Sequence, residues 1–145
     1  DYVRLVDVPL GATAEVMTFE SLIRCSKLID PAISEYLMLF LFEPKNFRCG
    51  VIKPFASDYS SISLTVDLPS DLARTRKIVE KWPGPTREIR LNDIVDIITK
   101  FQISSTEMRS TGLVKLPYGR SIDFQDFQKD MNRRVEESTK RVLYE

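Results

Sequence analysis

The chain contains no histidine among its 145 residues, and this absence excludes several kinds of site. Catalysis that depends on an imidazole, either as a general base or beside a nucleophile, is excluded. A conventional zinc site is not expected, because the 2 cysteines do not form a Cys-x-x-Cys pair. Cys25 and Cys49 are too few for a disulfide framework. We therefore expect two buried free thiols and a cytoplasmic setting.

Three further features are scarce or missing. The 5 glycines are isolated, so no glycine-rich phosphate loop is present. The longest apolar run, residues 37–42, is far shorter than the ~20 residues that cross a bilayer. Lys and Arg total 21 and so do Asp and Glu, and a zero net charge disfavours broad binding of nucleic acid. We expect neither a membrane nor a nucleic acid as partner, although a local phosphate site stays possible.

The pattern of apolar residues predicts alternating strands and helices. Residues 2–8, 14–17, 47–53 and 61–66 have the short alternation of strands. Residues 18–28, 31–42, 69–82, 91–101 and 123–143 have apolar residues at helical spacing. The spacing predicts Phe19, Leu22 and Ile23 on the buried side of the first helix. On the third helix it predicts Leu72 on the buried side and Arg74 in solvent, with Asp71 as an acid of the first turn. This order predicts an α/β fold with three layers, in which a small mixed sheet has helices on both faces. A long C-terminal helix is predicted to extend it.

Asp67 lies at the point where the predicted strand over residues 61–66 ends and a helix begins. Pro69 suits the first turn of that helix, because its missing N–H needs no partner there. An aspartate between a strand and a helix is often a cap or a turn former, and on spacing alone this is the commoner role. The alternative is a ligand site, because α/β proteins bind ligands beyond the carboxyl ends of their strands.

Three patches of the sequence resemble one enzyme family. Residues 65–72, Thr-Val-Asp-Leu-Pro-Ser-Asp-Leu, are similar to the T-V-D-T-P-E-D-L signature of sugar-activating cytidylyltransferases. These include the spore-coat polysaccharide type and the CMP-ketodeoxyoctonate and acylneuraminate synthetases. Residues 9–22 are similar to the family pattern P-x-G-x-x-x-E-V-x-S-F-E-x-L, and residues 91–95 to L-E-D-I-L. Together the patches cover about the first 100 residues.

The resemblance implies a nucleotide-diphospho-sugar transferase-like fold, and transfer of CMP from CTP to a sugar or sugar acid in polysaccharide biosynthesis. In the family two carboxylates hold a divalent metal, Mg²⁺, and Asp67 matches one of them, which makes it the implied catalytic and metal-binding residue. Gly11 and Glu15 match residues that border the sugar pocket. Considered without the resemblance, Gly11 also suits a turn and Glu15 a solvated strand position. The resemblance further implies a homo-oligomer such as a dimer.

The resemblance covers only the C-terminal half of such an enzyme. Residues 1–101 correspond to it, and residues 102–145 form a second region with a linker, a short strand and an amphipathic helix. The family's basic, triphosphate-gripping loop and its first metal-binding aspartate have no counterpart here, and its acid-His-Val-Thr segment is replaced by Ser34-Glu35-Tyr36-Leu37. We therefore expect a fragment or a part of a larger polypeptide, inactive alone and completed by a companion domain.

A second hypothesis is a non-catalytic α/β interaction module. A stripe recurs along the predicted C-terminal helix at three- and four-residue spacing, at Phe124, Phe127, Met131, Val135, Ser138 and Val142, and only Ser138 interrupts its apolar character. Such a stripe must cover the chain's own sheet, a partner subunit or an adjoining domain. In this hypothesis the helix binds a partner or makes a dimer.

Overall fold

The computed structural model describes residues 1–30, 32, 37–104 and 112–143. The contacts divide them into two compact units. The sheet unit includes residues 1–7, 13–30, 32, 37–57 and 112–143, and the helical unit includes residues 8–12 and 58–104. Most of the first turn predicted for residues 31–42, and the centre of the predicted linker over 102–110, lie outside the described residues. The boundary predicted at residue 102 differs from this division, because the C-terminal elements share a unit with the N-terminal strands.

The described residues form five α-helices and six strands. The helices are α1 (Phe19–Ser26), α2 (Leu37–Leu41), α3 (Pro69–Lys81), α4 (Leu91–Phe101) and α5 (Phe124–Glu137). The strands are β1 (Tyr2–Leu5), β2 (Glu15–Met17), β3 (Cys49–Lys53), β4 (Leu113–Lys115), β5 (Ser121–Asp123) and β6 (Thr139–Val142). Within the described ranges, no helix has the length and apolar content to cross a membrane.

The sheet unit is built on a small mixed sheet with the strand order β2-β1-β3-β6. β2 runs antiparallel to β1, whereas β3 is parallel to β1 and β6 is parallel to β3. The connection from β1 to β3 passes through α1 and α2, as a parallel pair requires. A mixed α/β arrangement with a small mixed sheet is therefore confirmed.

One face of this sheet carries the core of the unit. Tyr2 pairs with Cys49, so both side chains point to the same face, and Val51 follows two residues later. These buried side chains pack with residues of α1, α2 and α5 and of the following loops, among them Cys25, Leu41, Phe42, Met131 and Val135. Both cysteines are buried free thiols, as the sequence predicted. Burial raises the pKa of each thiol.

The C-terminal helix is shorter than predicted. The helical spacing continues to Val142 in the sequence, but α5 ends at Glu137 and residues 139–142 form strand β6. Ser138 is buried and extended, and its hydroxyl donates to the carbonyl of Arg134 at 2.7 Å. The open edge of β3 then provides backbone partners for Thr139 and the residues that follow. The sequence periodicity could not reveal those partners, because they lie about ninety residues away along the chain.

Helix α1 buries a different face from the one that the sequence predicts. The sequence placed Phe19, Leu22 and Ile23 on its buried side. The structure buries Ser21 and Cys25 instead, and leaves Phe19 71% exposed and Ile23 43% exposed. The Ser21 hydroxyl is satisfied by the carbonyl of Asp1 at 2.7 Å, which explains why a polar residue is accepted there. An apolar face of this kind is what a partner surface requires.

The helical unit packs α3 against α4 around three buried isoleucines. Ile78 of α3 meets Ile97 and Ile98 of α4, with Ile62 and Leu64 at the margin. The strand predicted over residues 61–66 is not formed. Only one parallel bridge joins Leu10 to Ser63, with two backbone hydrogen bonds of 2.8 Å. The pairing stops there because the chain turns away at Gly11, whose φ is +89°.

Candidate functional site

The turn before α3 is organised by Asp71 rather than by Asp67. The Asp71 carboxylate accepts the backbone N–H of Leu68 at 2.9 Å and that of Asp67 at 3.1 Å. It therefore reaches back from the first turn of α3 to satisfy donors that the helix leaves open. Its negative charge also lies at the favourable end of the helix dipole. The sequence predicted a first-turn acid at this position, and this role is confirmed.

A buried ion pair holds this turn in place. Asp71 is only 2% exposed, and its second oxygen accepts a hydrogen bond from the Arg74 guanidinium at 2.9 Å. Arg74 is also buried and donates to the carbonyl of Thr65. The sequence predicted Arg74 on the solvated side of α3 and Leu72 on the buried side. The structure reverses these positions, because the Thr65 carbonyl before the helix needs a donor and the N–H groups of Asp67 and Leu68 need an acceptor.

The Asp67 carboxylate is left free by this arrangement. Asp67 is exposed, and its side chain has no hydrogen bond or ion pair within the described part of the chain. The capping role, which was the commoner reading of the spacing, is filled by Asp71. Asp67 is thus an exposed carboxylate on a turn that is held by hydrogen bonds to the buried pair of Asp71 and Arg74. That combination suits a charged ligand, because little ordering is needed on binding.

Gly11 lies against the same turn in the helical unit. A Cβ placed on Gly11 would be 3.1 Å from the backbone nitrogen of Thr65 and 3.3 Å from the carbonyl carbon of Leu64. Gly11 also follows Pro9 in a turn closed by the hydrogen bond from Ala12 N–H to the Pro9 carbonyl, at 3.0 Å. The turn-forming role is therefore present, and the structure also brings Gly11 beside the segment that leads to Asp67.

Glu15 belongs to the sheet unit, on the edge strand β2. It is exposed and pairs in register with Arg4 of β1. Beside it lies the buried hydroxyl of Tyr2. Burial raises the pKa of Tyr2, the Arg4 charge opposes this shift, and the Glu15 carboxylate adds to it. Glu15 is accessible to a ligand, but solvation also accounts for its position.

The described residues contain no cluster of three or more His, Cys, Asp or Glu side chains that could hold a metal ion. Asp67 therefore offers a single carboxylate ligand. A divalent cation such as Mg²⁺ accepts one or two protein carboxylates when phosphate oxygens and waters complete its octahedron. The donor type at Asp67 fits Mg²⁺, but the coordination would need ligands from a substrate or from further polypeptide.

The sheet unit contains a charged cluster that the sequence did not reveal. Glu43, after α2, accepts hydrogen bonds from Arg133, and Asp130 accepts them from both Arg133 and Arg134; we call these four residues the α2–α5 network. Burial works against ionisation of the two carboxylates, but the hydrogen bonds from the arginines hold their pKa values below the usual range. The only sequence signal was the spacing of Asp130 and Arg134, which predicted a surface pair.

No protein-family model, curated protein or solved structure matches this chain. Its own residues, with the three patches that resemble the cytidylyltransferases, are therefore what bears on its function.

Proposed function

We propose that the chain is part of a metal-dependent nucleotidyltransferase that transfers CMP from CTP to a sugar or sugar acid. The observation that carries this proposal is the free carboxylate of Asp67 on its pinned turn. If Asp67 were only a cap, its oxygens would accept the first amides of α3. The N–H groups of Asp71 and Leu72 donate to the carbonyl of Leu68 instead. The aspartate that matches the family's metal ligand therefore has no side-chain hydrogen bond within the described chain.

In this proposal Asp67 holds Mg²⁺ together with a second carboxylate outside this chain and the triphosphate of the nucleotide. The metal would neutralise charge on the phosphates and orient them for substitution. The residues of this chain have two tasks. Asp71 and Arg74 keep the Asp67 turn rigid, and Gly11 keeps the neighbouring backbone close to it because no side chain intervenes. Glu15 is proposed to contact hydroxyl groups of the sugar.

The exposed apolar faces support the idea that further polypeptide covers this chain. Phe19 and Ile23 on α1 are exposed, as are Leu72 and Val79 on α3. An isolated soluble protein seldom presents the apolar sides of two helices to water. A companion half, with strands and helices that complete a three-layer nucleotide-diphospho-sugar transferase-like fold, would bury them. Such a half would also supply the triphosphate loop, so we propose that the chain alone is inactive.

The test compares two aspartate variants in the polypeptide isolated from its source cells. Its intact mass under denaturing conditions first shows whether an N-terminal half is present. Asp67→Asn is then expected to lower Mg²⁺-dependent transfer of labelled CMP from CTP by at least about a hundredfold, as loss of a group that stabilises transferred charge does. Asp96→Asn is the control, because Asp96 is an exposed aspartate of the same unit on α4.

Both variants should keep the unfolding midpoint of the parent protein, because neither side chain makes a hydrogen bond or an ion pair with the residues that the structure describes. The nucleotidyltransferase proposal is wrong if Asp67→Asn retains full CMP transfer. It is equally wrong if a protein with both halves shows no metal-dependent release of pyrophosphate from CTP with any sugar or sugar acid acceptor.

A second candidate function is a non-catalytic interaction module, and the exposed side of α1 favours it. Phe19 of α1 and Val16 of β2 are 71% and 69% exposed. By contrast Met131 and Val135, on the C-terminal helix, pack against the chain's own core. In this alternative a second copy of the chain covers Phe19, and Phe19→Asp converts a dimer to a monomer in sedimentation equilibrium. An unchanged mass would exclude this surface as the interface.

A further inference from the structure

The sheet unit contains a cavity of about 270 Å³ between α2, the β4–β5 hairpin and α5. Its wall is mostly apolar, and the apolar side chains that line it include Leu39, Phe40, Leu116, Ile122, Phe127 and Met131. At ~30 Å³ for each water in the liquid, this volume corresponds to about nine water molecules. A wall that is mostly apolar offers too few hydrogen-bond partners for that many water molecules. The cavity therefore suits an apolar body more than solvent.

The β4–β5 hairpin contributes the cation Arg120 to this cavity, on a turn with an unusual backbone conformation. β4 and β5 are joined by a tight turn in which the Leu116 N–H donates to the Arg120 carbonyl at 2.8 Å. Tyr118 in that turn has φ 60° and ψ 34°, a left-handed conformation that bulky residues rarely adopt. Its hydroxyl accepts the backbone N–H of Asp30 at 3.5 Å, which ties the turn to the loop after α1. Backbone strain of this kind often marks a ligand site.

The charges that line the cavity leave Arg120 uncompensated. Asp130 and Arg134 also line it, but they bind each other at 2.8 Å and belong to the α2–α5 network. The Arg120 side chain has no hydrogen bond, ion pair or ring contact within the described residues. The cavity thus combines an apolar wall with one available guanidinium, and its ligand should combine an apolar body with one anionic group.

We propose that this cavity binds a small amphipathic carboxylate, with an apolar chain or ring of roughly eight carbons in the cavity and the carboxylate on Arg120. The size follows from the cavity volume, since an eight-carbon acid has about as many non-hydrogen atoms as the cavity has room for. The charge follows from the planar fork of the arginine, which binds the two oxygens of a carboxylate together. This site is independent of Asp67, which belongs to the other unit.

The test is a titration of the ¹⁵N-labelled 145-residue chain with octanoate, followed by amide chemical shifts. We expect saturable shifts confined to α2, the β4–β5 hairpin and α5, with a Kd on the order of 1 mM for a ligand of this size. 1-Octanol should bind several-fold more weakly, because it lacks the charge, and octylamine more weakly still. Octyl phosphate distinguishes the anionic groups, and we expect it to bind no more tightly than octanoate.

Arg120→Gln should weaken octanoate binding about two- to fivefold, as expected for an exposed ion pair, and leave 1-octanol binding unchanged. Arg141→Gln is the matched control, because Arg141 is an exposed arginine of the same unit on β6. Ile122→Trp, which fills the cavity, should abolish binding of both ligands. The proposal is overturned if octanoate gives no saturable shifts up to about 10 mM, if the shifts spread over the whole chain, or if Arg120→Gln binds octanoate as tightly as the parent.

Discussion

Replacing Arg134 with methionine should destabilise the sheet unit far more than the same change at Arg133. The two arginines are adjacent on α5 and both belong to the α2–α5 network, yet their partners differ. Arg134 is 12% exposed, and one of its terminal nitrogens donates to the carbonyls of Leu39 and Phe42 at 2.6 and 2.7 Å. Arg133 is 30% exposed, and its partners among the described residues are carboxylates.

The magnitude follows from what each substitution leaves behind. Methionine keeps most of the apolar stem, so the change removes mainly the guanidinium. Without Arg134, two carbonyls at the end of α2 and one oxygen of Asp130 lose a charged donor. Hydrogen bonds to charged groups contribute about 1.5–3 kcal/mol each and do not add fully, so we expect a loss of about 3–5 kcal/mol. For Arg133→Met we expect the free energy of unfolding to fall by about 1 kcal/mol, because solvent-accessible ion pairs contribute about that much.

Urea unfolding followed by far-ultraviolet circular dichroism measures the two free energies of unfolding. Amide hydrogen exchange of β3 assigns the loss to the sheet unit, which fluorescence cannot do because the single tryptophan, Trp82, lies in the helical unit. The reasoning is refuted if Arg133→Met costs as much as Arg134→Met. It is also refuted if Arg134→Met costs less than about 1 kcal/mol.

Three further predictions follow from the described contacts. The Asp71→Asn change breaks the buried pair and leaves Arg74 buried, so it should lower the free energy of unfolding of the helical unit by about 3–5 kcal/mol. Trp82 fluorescence during urea unfolding measures this loss, and a value below about 1 kcal/mol would contradict the prediction. Gly11→Ala should also cost about 2 kcal/mol in that Trp82 assay, because φ at Gly11 is +89° and the added Cβ would lie 3.1 Å from the backbone nitrogen of Thr65; an unchanged free energy of unfolding would contradict this. Folding lowers the pKa values of Glu43 and Asp130, so these carboxylates contribute fully to the free energy of unfolding above about pH 5. That contribution is lost as the pH falls through their pKa values in the folded protein. The urea midpoint of the sheet unit should therefore drop between about pH 5 and pH 3 and stay level from about pH 6 to pH 7.

The sequence predicted the elements whose signals are local. Helix α4 was predicted at residues 91–101 and is observed there, because its apolar residues recur at helical spacing along a single buried face. The start of α1 at Thr18 was predicted as well, since the Thr18 hydroxyl accepts the backbone N–H of Ser21 at 3.2 Å. In both cases the determining contacts lie within one or two turns of the helix.

The errors share a physical cause, which is that the deciding partner is remote in sequence. Residues 139–142 form a strand because they pair with the open edge of β3. Residues 61–66 form only one bridge because the chain that would pair with them turns away at Gly11. Arg74 was expected in solvent, but the carbonyl of Thr65 needs its guanidinium. For the candidate site, the sequence selected Asp67 through resemblance alone. It could not show that Asp71 would leave the Asp67 carboxylate free.

The order of the two units along the chain sets the order in which the protein can fold during synthesis. The sheet unit takes β1, β2 and β3 from the first 57 residues, but its edge strand β6 and its covering helix α5 come last. The described residues of the helical unit end at residue 104, so they leave the ribosome before α5 and β6 do. The helical unit can therefore fold first, while the edge of β3 and the core around Tyr2 and Phe42 remain open. A nascent chain stalled before α5 would present that edge to other chains, so we expect it to be most prone to aggregate in the interval before residues 124–142 emerge.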